Sequence, residues 1–298
     1  MNTHSIETKL DNLNTLIQLL RDQLTLGQRA QRDIMRSIGD MLLQSKVEQN
    51  SRNHKNPLNF YGAKCFSQTD EDGITIEIIN RLGITDGVYA ELGVGNGLEN
   101  NSLILAAMGW KGFWIGGEDL CFYYPKSNNF AYLKTWITRE NVIEIFNIGL
   151  NHINNKEVNV CSIDLDGNDI YIAEEILKNK IRPNLFIVEY NAQFIPPVKF
   201  QIKYNAKHRW ESDNYFGAAL TNFEELFRSH DYRLICCNSH TGANAFFIDN
   251  KFSHLFQDVP NNLRDIYCPP HYHLYTKFAH PQSVRVVEKI FADNAGLQ

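Results

Sequence analysis

The sequence lacks the features that mark membrane-spanning and nucleic-acid-binding proteins. None of its apolar runs approaches the roughly 20 residues with which a helix crosses a bilayer. The 298 residues include 29 lysines and arginines against 34 aspartates and glutamates. The chain therefore lacks the excess of positive charge with which nucleic-acid-binding proteins bind phosphate backbones. The N-terminus has neither the basic start nor the apolar stretch of a secretory signal. We therefore expect a cytoplasmic protein that neither spans a membrane nor binds nucleic acid.

Cysteine is scarce and irregularly spaced. The six cysteines include no CxxC pair, so neither a disulfide scaffold nor a paired-cysteine zinc site is indicated. Cys268 has His271 and His273 close by, but a fourth ligand at zinc-site spacing is missing. Hydrophobic residues make up 43% of the chain and charged residues 21%, an ordinary globular composition. We expect reduced and mostly buried thiols.

Residues 1–48 carry an apolar stripe that sets them apart from the rest of the chain. Apolar residues recur at alternating spacings of four and three, which is typical of a coiled-coil seam. The positions in register are Ile6, Leu10, Leu13, Ile17, Leu20, Leu24, Gly27, Gln31, Ile34, Ile38 and Met41. Gly27 weakens the middle by about 1 kcal/mol, so one long helix and two helices folded back at residues 25–28 both fit. We expect homo-oligomerisation through this segment; the alternative is packing on the chain's own domain.

Residues 49–59 are predicted to be a linker, and residues 60–298 to form an α/β domain. The linker is polar and contains Asn56-Pro57. Beyond it, apolar runs alternate with helical patterns, which predicts a mostly parallel sheet covered on both faces. The predicted strands are 88–94, 112–115, 142–148, 158–164, 185–190, 232–237 and 244–249. The last two are joined by a short turn, so we expect a seven-stranded, Rossmann-like sheet with one antiparallel strand.

A glycine-rich turn, ELGVGNG at residues 91–97, follows the first predicted strand. In an open parallel sheet, ligands bind at this place. Its G-x-G-x-G spacing differs from the dinucleotide pattern G-x-G-x-x-G. The carboxylate of Glu91 would repel a pyrophosphate and suits a cation such as an ammonium group. The turn therefore favours S-adenosylmethionine over NAD, with a purely structural turn as the alternative.

Several further motifs follow in order between residues 67 and 249. They are SQTDEDG (67–73), ELGVGNGLENNS (91–102), GWKGFWI (109–115), ITREN (137–141), SIDLDGND (162–169), VEYN (188–191), YFGA (215–218) and GANAFF (242–247). Together they resemble the FkbM-type methyltransferases, a class I S-adenosylmethionine-dependent group often linked to glycan and natural-product modification. The resemblance implies the class I methyltransferase fold.

The resemblance also implies which residues hold the methyl donor. Glu91 and the backbone of residues 93–97 would hold its methionine part, and Gln68 would close over it. Glycines stand where an acid for the ribose hydroxyls is expected after the second strand, so Glu118 is the nearest substitute. The predicted cofactor-binding residues are Gln68, Glu91, Gly93, Gly95, Asn96, Gly97, Asn101, Ser102, Glu118 and Asp164.

Acidic side chains follow both the fourth and the fifth predicted strand. Neighbouring carboxylates repel each other unless a cation or a shared proton intervenes. One solution is a divalent cation such as Mg²⁺, with Asp164, Glu189 and Asn191 as oxygen ligands. The other is metal-free, with a carboxylate or a histidine as general base; the candidates are Asp166, Glu189, His208 and His240. The predicted catalytic residues are Asp164, Asp166, Glu189 and His208.

The sequence thus predicts an S-adenosylmethionine-dependent O-methyltransferase of polysaccharide biosynthesis. Its acceptor would be a hydroxyl of a sugar or glycan, polymeric or nucleotide-linked. The long irregular stretch 193–215, with its aromatic side chains, is expected to line the acceptor pocket. A NAD-dependent oxidoreductase and a non-catalytic scaffold of a polysaccharide assembly complex are the alternatives.

Overall fold

A computed structural model describes residues 3–270 and 284–296 of the chain. Within helices, the side chains of residues 3–11, 43–44, 46–53 and 285–286 are outside the described part. The predicted seam side chains Ile6 and Leu10 therefore lie outside the described residues. The same holds for His271 and His273, the histidines near Cys268.

A seven-stranded sheet lies at the centre of the fold. The strands are β1 (Val88–Leu92), β2 (Lys111–Gly116), β3 (Phe130–Lys134), β4 (Val160–Ile163), β5 (Leu185–Glu189), β6 (Tyr232–Cys237) and β7 (Asn244–Asp249). Their order is β3-β2-β1-β4-β5-β7-β6. β7 pairs antiparallel with β5 and with β6, and the other neighbouring strands pair in parallel. The predicted seven-stranded, mostly parallel Rossmann-like sheet with one antiparallel strand is confirmed.

Helices connect the strands and cover the sheet. They are α1 (Thr3–Asn53), α2 (Glu71–Leu82), α3 (Leu103–Ala107), α4 (Val142–His152), α5 (Asp169–Lys178), α6 (Leu220–Arg228), α7 (Leu263–Ile266) and α8 (Val284–Asn294), with 3-10 helices at Pro57–Tyr61 and Asn250–Phe256. Strands β1, β4 and β7 are buried along their whole length, as expected for a sheet covered on both faces. Across the described ranges, no helix combines the length and apolarity needed to cross a bilayer.

The third strand is not where the sequence predicts it. Residues 142–148 form the start of α4, and the strand lies earlier in the chain, at β3. The buried residues of α4 are spaced as one helix face; they are Val142, Phe146, Gly149 and Leu150. A short run of apolar and β-branched residues fits either element, and packing against the sheet selects the helix. The edge strand β3 is only partly buried, so its apolar run is too short to stand out.

The N-terminal segment is one continuous helix, not a pair of helices. α1 runs unbroken through Gly27 for 51 residues, or roughly 77 Å at the usual rise per residue. The described seam side chains expose 39% to 70% of their surface; they are Leu13, Ile17, Leu20, Leu24, Ile34, Ile38 and Met41. They therefore do not pack on the chain's own domain. Homo-oligomerisation stays a prediction.

Much of the predicted linker, residues 49–59, is regular structure docked on the sheet domain. α1 extends to Asn53, and a 3-10 helix begins at Pro57. Asn56 Nδ2 donates to the carbonyl of Ile235 (2.7 Å), and Asn59 Nδ2 donates to the carbonyl of Cys237 (2.8 Å). Both carbonyls belong to the edge strand β6, whose outer polar groups need partners. The polar composition of this segment suggested a linker, but its asparagine side chains form hydrogen bonds with the backbone of an edge strand.

Two glycines of the turn after β1 differ in the space around them. At Gly93 (φ +95°) an added Cβ would lie 1.6 Å from the carbonyl oxygen of Asp164. At Gly95 (φ +51°) an added Cβ meets nothing within 4 Å. The first glycine is required by close backbone approach, while the second is required only by its left-handed conformation.

We predict that Gly93→Ala destabilises the protein far more than Gly95→Ala does. The first change combines a steric clash with backbone strain and should cost about 2–4 kcal/mol. The second carries only the left-handed strain, about 1 kcal/mol. Urea unfolding of the two variants measures the difference. If both variants lost the same free energy of unfolding, the ends of β1 and β4 would have to separate easily, which would contradict the close approach at Gly93.

Candidate functional site

A cavity of about 320 Å³ opens at the carboxyl ends of the parallel strands. Glycines that follow β1 and β2 form part of its wall, and the segments after β3 and β4 form its sides. We call it the glycine cavity; its wall residues are Gly93, Gly95, Gly116, Gly117, Glu118, Thr135, Trp136, Ile137, Asp164, Leu165, Asp166, Asn168, His208, Arg209 and Trp210. Ligands of open parallel sheets bind at this edge, and the volume falls in the range of small-molecule sites.

A second cavity, of about 500 Å³, shares part of this wall. We call it the glutamate cavity; its wall residues are Gln68, Asp166, Glu189, Gln193, Trp210, Ser212, Asp213, Asn214, Phe216, Thr241 and Ala243. Asp166 and Trp210 belong to both walls. Two ligand-sized spaces that meet at two side chains can hold two ligands close together.

Three carboxylates gather where the cavities meet. Oxygens of Asp164, Asp166 and Glu189 lie within 4.8 Å of one another. Burial, reinforced by the neighbouring carboxylates, raises the pKa of Asp164 and of Glu189 well above the usual values. Glu189 Oε2 is buried and accepts no hydrogen bond from any described residue. The cluster therefore favours a bound proton or a bound cation.

His208 lies beside this cluster. Its ring packs against the backbone of Gly167, where an added Cβ would come within 2.1 Å of the imidazole Cδ2. Burial raises the pKa of Asp166, and His208 acts in the opposite direction, as a neighbouring basic group does. The Nε2 atom of His208 is buried and has no hydrogen-bond partner in the described part of the chain. Both groups in this pair can exchange a proton with a ligand.

The loop that carries these residues is held by Asp169, the first residue of α5. Its carboxylate accepts hydrogen bonds from the amides of Leu165 (2.7 Å) and Gly167 (2.9 Å). Burial raises the pKa of Asp169 to about 7, although both hydrogen bonds favour the charged form. Asp166 lies between the two bonded amides with φ +53°. Asp169 thus fixes the backbone on which Asp166 stands.

Glu91 lines neither cavity, and the structure gives it a different role from the predicted one. Oε1 accepts from the Asn101 amide (3.0 Å), and Oε2 accepts from the amide (2.9 Å) and hydroxyl (2.5 Å) of Ser102. Trp114 Nε1 donates to the same hydroxyl (2.8 Å). The carboxylate therefore compensates the free amides at the start of α3. It is 3% exposed, and its role in holding the methyl donor stays a prediction.

The remaining predicted cofactor residues divide between the walls and the supporting turn. Gly93, Gly95, Glu118 and Asp164 line the glycine cavity, and Gln68 lines the glutamate cavity. Neither wall includes the other predicted residues, Glu91, Asn96, Gly97, Asn101 and Ser102. Their contacts are internal: Asn96 Oδ1 accepts from the Leu98 amide, and Asn101 Nδ2 donates to Ser162 Oγ.

Asn191, the predicted third ligand, has hydrogen-bond partners of its own. Its Nδ2 donates to the carbonyls of Asn214 (3.0 Å) and Phe216 (3.1 Å), and its Oδ1 accepts from the Gln193 amide (3.3 Å). This fully buried side chain therefore holds the segment that walls the glutamate cavity. The acid that lies with Asp164 and Glu189 is Asp166, and the role of Asn191 as a ligand stays a prediction.

A second group of buried acids, at the start of α2, escaped the sequence reasoning. Asp70 accepts from the amide and hydroxyl of Ser239, and Glu71 accepts from Asn238 Nδ2. Asp72 Oδ2 accepts three amides, those of residues 65–67. The group ties the SQTDEDG motif to the turn between β6 and β7. Three successive acids were the available signal, but their partners are distant in sequence.

Residues 204–210, which we call the wall segment, are fastened to the loops around the glycine cavity. Trp136 Nε1 donates to the carbonyl of Ala206 (2.6 Å), and Asn168 Nδ2 donates to that of Asn205 (2.8 Å). Tyr204 donates to Glu140 Oε2 (2.8 Å). The end of the wall segment, with His208 and Trp210, is thereby held against both cavities.

Comparison with known proteins adds little to this geometry. No family model and no curated protein matches the chain. A putative hemolysin from Streptococcus thermophilus aligns over 78% of each chain at 10% identity, with a TM-score of 0.39. A glycopeptide N-methyltransferase, MtfA, aligns over 64% of this chain and 94% of its own at 10% identity, with a TM-score of 0.32. Likenesses this weak say nothing about activity, and the FkbM resemblance stays a prediction.

We predict that Asp164→Asn stabilises the protein at pH 8. The raised pKa values mean that the folded chain binds more protons than the unfolded chain above about pH 4, so stability falls as pH rises through this window. Removing one repelling carboxylate should raise the free energy of unfolding by about 1 kcal/mol at pH 8, with a smaller gain at pH 5.

Urea unfolding in EDTA at both pH values measures this effect free of divalent cations. The control is Asp86→Asn, since Asp86 is exposed and lies outside both cavity walls; it should leave the pH dependence unchanged. Loss of stability at pH 8 in Asp164→Asn would mean that this carboxylate is well compensated in the folded chain.

Proposed function

We propose that the chain is an S-adenosylmethionine-dependent O-methyltransferase whose acceptor is a hydroxyl of a sugar or glycan. The observation that carries the proposal is the pair of cavities that meet at Asp166 and Trp210. Group transfer needs a donor and an acceptor side by side, with their reacting atoms in contact. The glycine cavity would take the donor and the glutamate cavity the acceptor.

The glycine cavity fits a cationic methyl donor. Open space over Gly95 lets a ligand approach the backbone. Glu118, exposed in the wall, would accept hydrogen bonds from ribose hydroxyls. Asp164 and Asp166 would attract the positive part of the donor, which favours this donor over NAD, whose pyrophosphate would have to lie against these two acids. Bound S-adenosylmethionine would supply a methyl group on a positively charged sulfur.

The junction of the cavities supplies the proton chemistry. A sugar hydroxyl is a weak nucleophile at neutral pH, so a base must take its proton. His208 Nε2 is free for this task within the described chain, and Asp166 beside it would stabilise the charged imidazole. Asp164 and Glu189, whose pKa values are raised, would hold a proton and orient the acceptor by hydrogen bonds.

A second form of the proposal adds a divalent cation. Oxygens of Asp164, Asp166 and Glu189 lie close enough together to share one ion, and carboxylates are ligands that Mg²⁺ favours. Such a cation would lower the pKa of an acceptor hydroxyl. In this form the three carboxylates are ligands, and His208 remains the base.

A sugar as acceptor is supported by the aromatic wall and by the resemblance to FkbM-type enzymes. Trp210 exposes 48% of its surface in both cavity walls. Its indole Nε1 donates to the carbonyl of Asp213 (2.6 Å), which fixes the ring plane. A fixed aromatic face can pack on the apolar face of a sugar ring. The same resemblance supports a role in polysaccharide biosynthesis.

We predict that the chain binds S-adenosylhomocysteine and that Glu118→Gln weakens this binding about tenfold. Loss of a charge-assisted hydrogen bond to the ribose corresponds to roughly 1.4 kcal/mol. Isothermal titration calorimetry gives the dissociation constants. The control is Glu99→Gln, because Glu99 is exposed and lines neither cavity.

Calorimetric titration with NADH tests the alternative cofactor, NAD. Binding of NADH without any response to S-adenosylhomocysteine would replace the methyltransferase by an oxidoreductase. Donor binding without methyl transfer to any sugar acceptor would favour a scaffold. Turnover that stops in EDTA and returns with Mg²⁺ selects the cation form, and turnover unaffected by EDTA selects the metal-free base.

We further propose that α1 joins copies of the chain into a homo-oligomer. Its seam side chains are apolar and exposed over the described residues. A single helix with such a stripe is marginal in water unless the stripe is covered. The stripe keeps the coiled-coil spacing on both sides of Gly27 and Gln31, so a second copy of α1 matches it best.

We predict that Leu20→Asp lowers the oligomer mass, whereas Leu19→Asp does not. The two leucines are equally exposed in the single chain, at 58% and 57%. Leu20 lies in the seam, and Leu19 lies well away from it on the helix surface. Size-exclusion chromatography with light scattering gives the masses. Equal masses for both variants and the unchanged chain would refute the seam.

A further inference from the structure

The stretch from residue 193 to residue 210 contains cations and no acids. Its charged residues are Lys199, Lys203, Lys207 and Arg209, although the whole chain is acidic overall with a net charge of −5. Lys199 forms an ion pair with Glu225 at 2.7 Å. The other three form no ion pair with any residue in the described part of the chain. Glu211 and Asp213 follow directly in the chain, but among the described residues neither forms an ion pair with these three cations.

Arg209 brings this charge into the glycine cavity wall. Its guanidinium lies over the ring of Trp136, 5.0 Å from the centroid, which is a favourable cation–π position. Glu118 and Asp166 line the same cavity, yet neither lies within ion-pair distance of Arg209. One cavity thus has separate negative and positive parts. The positive part, at Arg209, can bind an anionic group that lies next to the cationic donor.

The backbone that carries these cations is held in place. Lys207 and Arg209 flank His208 and lie one and three residues after Ala206, whose carbonyl accepts from Trp136. The positions of their Cα atoms are therefore fixed beside the cavities before any ligand binds. Preorganised cations lose less conformational entropy on binding than mobile ones.

We infer that the acceptor sugar carries a diphosphate group, which Arg209 and Lys207 bind. This rests on the proposed function for the position of the acceptor: the sugar would lie in the glutamate cavity, and its diphosphate would extend past Trp210, which lines both cavities, to Arg209 in the wall of the glycine cavity. Arginine matches phosphate oxygens with paired N–H donors, and several uncompensated cations match a diphosphate better than the single charge of a sugar carboxylate. The diphosphate could belong to a nucleotide-linked sugar or to a lipid-linked one. In this arrangement Asp164 and Asp166 attract the cationic donor, and Arg209 and Lys207 bind the anionic acceptor.

The test is direct titration of the full chain with inorganic pyrophosphate by calorimetry, without donor. Arg209→Gln and Lys207→Gln should each weaken binding about tenfold. Arg209→Lys, which keeps the charge, should retain part of the affinity. Lys199→Gln is the matched control from the same stretch, because Lys199 is already paired with Glu225, and it should bind as the unchanged chain does. Glucuronate, with one carboxylate, should bind more weakly than pyrophosphate.

Absence of pyrophosphate binding, or equal binding by Arg209→Gln and Lys199→Gln, would overturn the inference. So would a loss of S-adenosylhomocysteine affinity in Arg209→Gln with pyrophosphate binding unchanged, since the cation would then serve the donor. Failure of the proposed function is a different result: no binding of S-adenosylhomocysteine by the unchanged chain, whatever pyrophosphate does.

Two further titrations separate the sources of the diphosphate. Uridine diphosphate in solution represents a nucleotide-linked sugar, and phosphatidylcholine vesicles that carry a polyprenyl diphosphate represent a lipid-linked one. Tight binding of uridine diphosphate, weakened by Arg209→Gln, supports the soluble acceptor. Sedimentation with the vesicles, likewise weakened by Arg209→Gln, supports the lipid-linked acceptor. Binding to neither contradicts the inference.

Discussion

The close approach of β1 and β4 is the constraint on which the site depends. These strands pair in parallel, with Leu92 beside Ile163, so the two turns that follow them leave the same sheet edge together. At Gly93 the approach is so tight that a Cβ would overlap the carbonyl oxygen of Asp164. The glycine-rich turn after β1 and the acidic turn after β4 are therefore in direct contact. Neither turn alone would make a cavity with carboxylates in its wall.

Parallel pairing of β4 with β5 adds Glu189 to the same edge, and this determines the charge of the site. The fold brings three carboxylates together, and none of them forms an ion pair with a lysine or arginine in the described part of the chain. Their mutual repulsion, together with the desolvation of Asp164 and Glu189, makes the negative charge of the cluster costly. Functional sites are often the places where a fold tolerates such strain. A ligand that brings positive charge to the cluster would relieve it.

The sequence predicts those parts of the fold that depend on local pattern, and it fails where contacts are distant. Apolar runs locate six of the seven strands, but α4 was mistaken for a strand because a short apolar run has no clear period. The acidic cluster was predicted from strand ends alone. The hydrogen bonds of Glu91 and Asn191 could not be predicted from the sequence, because each depends on which backbone groups the folded chain leaves unpaired. Glu91 meets the amides that begin α3, and Asn191 meets carbonyls more than twenty residues later.

Asp166 has a left-handed backbone conformation and lies where the two cavities meet. Its left-handed backbone costs about 1 kcal/mol, and a glycine in its place would avoid that cost. The two hydrogen bonds from Leu165 and Gly167 to Asp169 hold this conformation. The result is a carboxylate that stands in both cavity walls and beside His208. A conformation that is costly, held by hydrogen bonds and placed between two cavities agrees with the proposed role of this side chain, which is to act on both ligands at once.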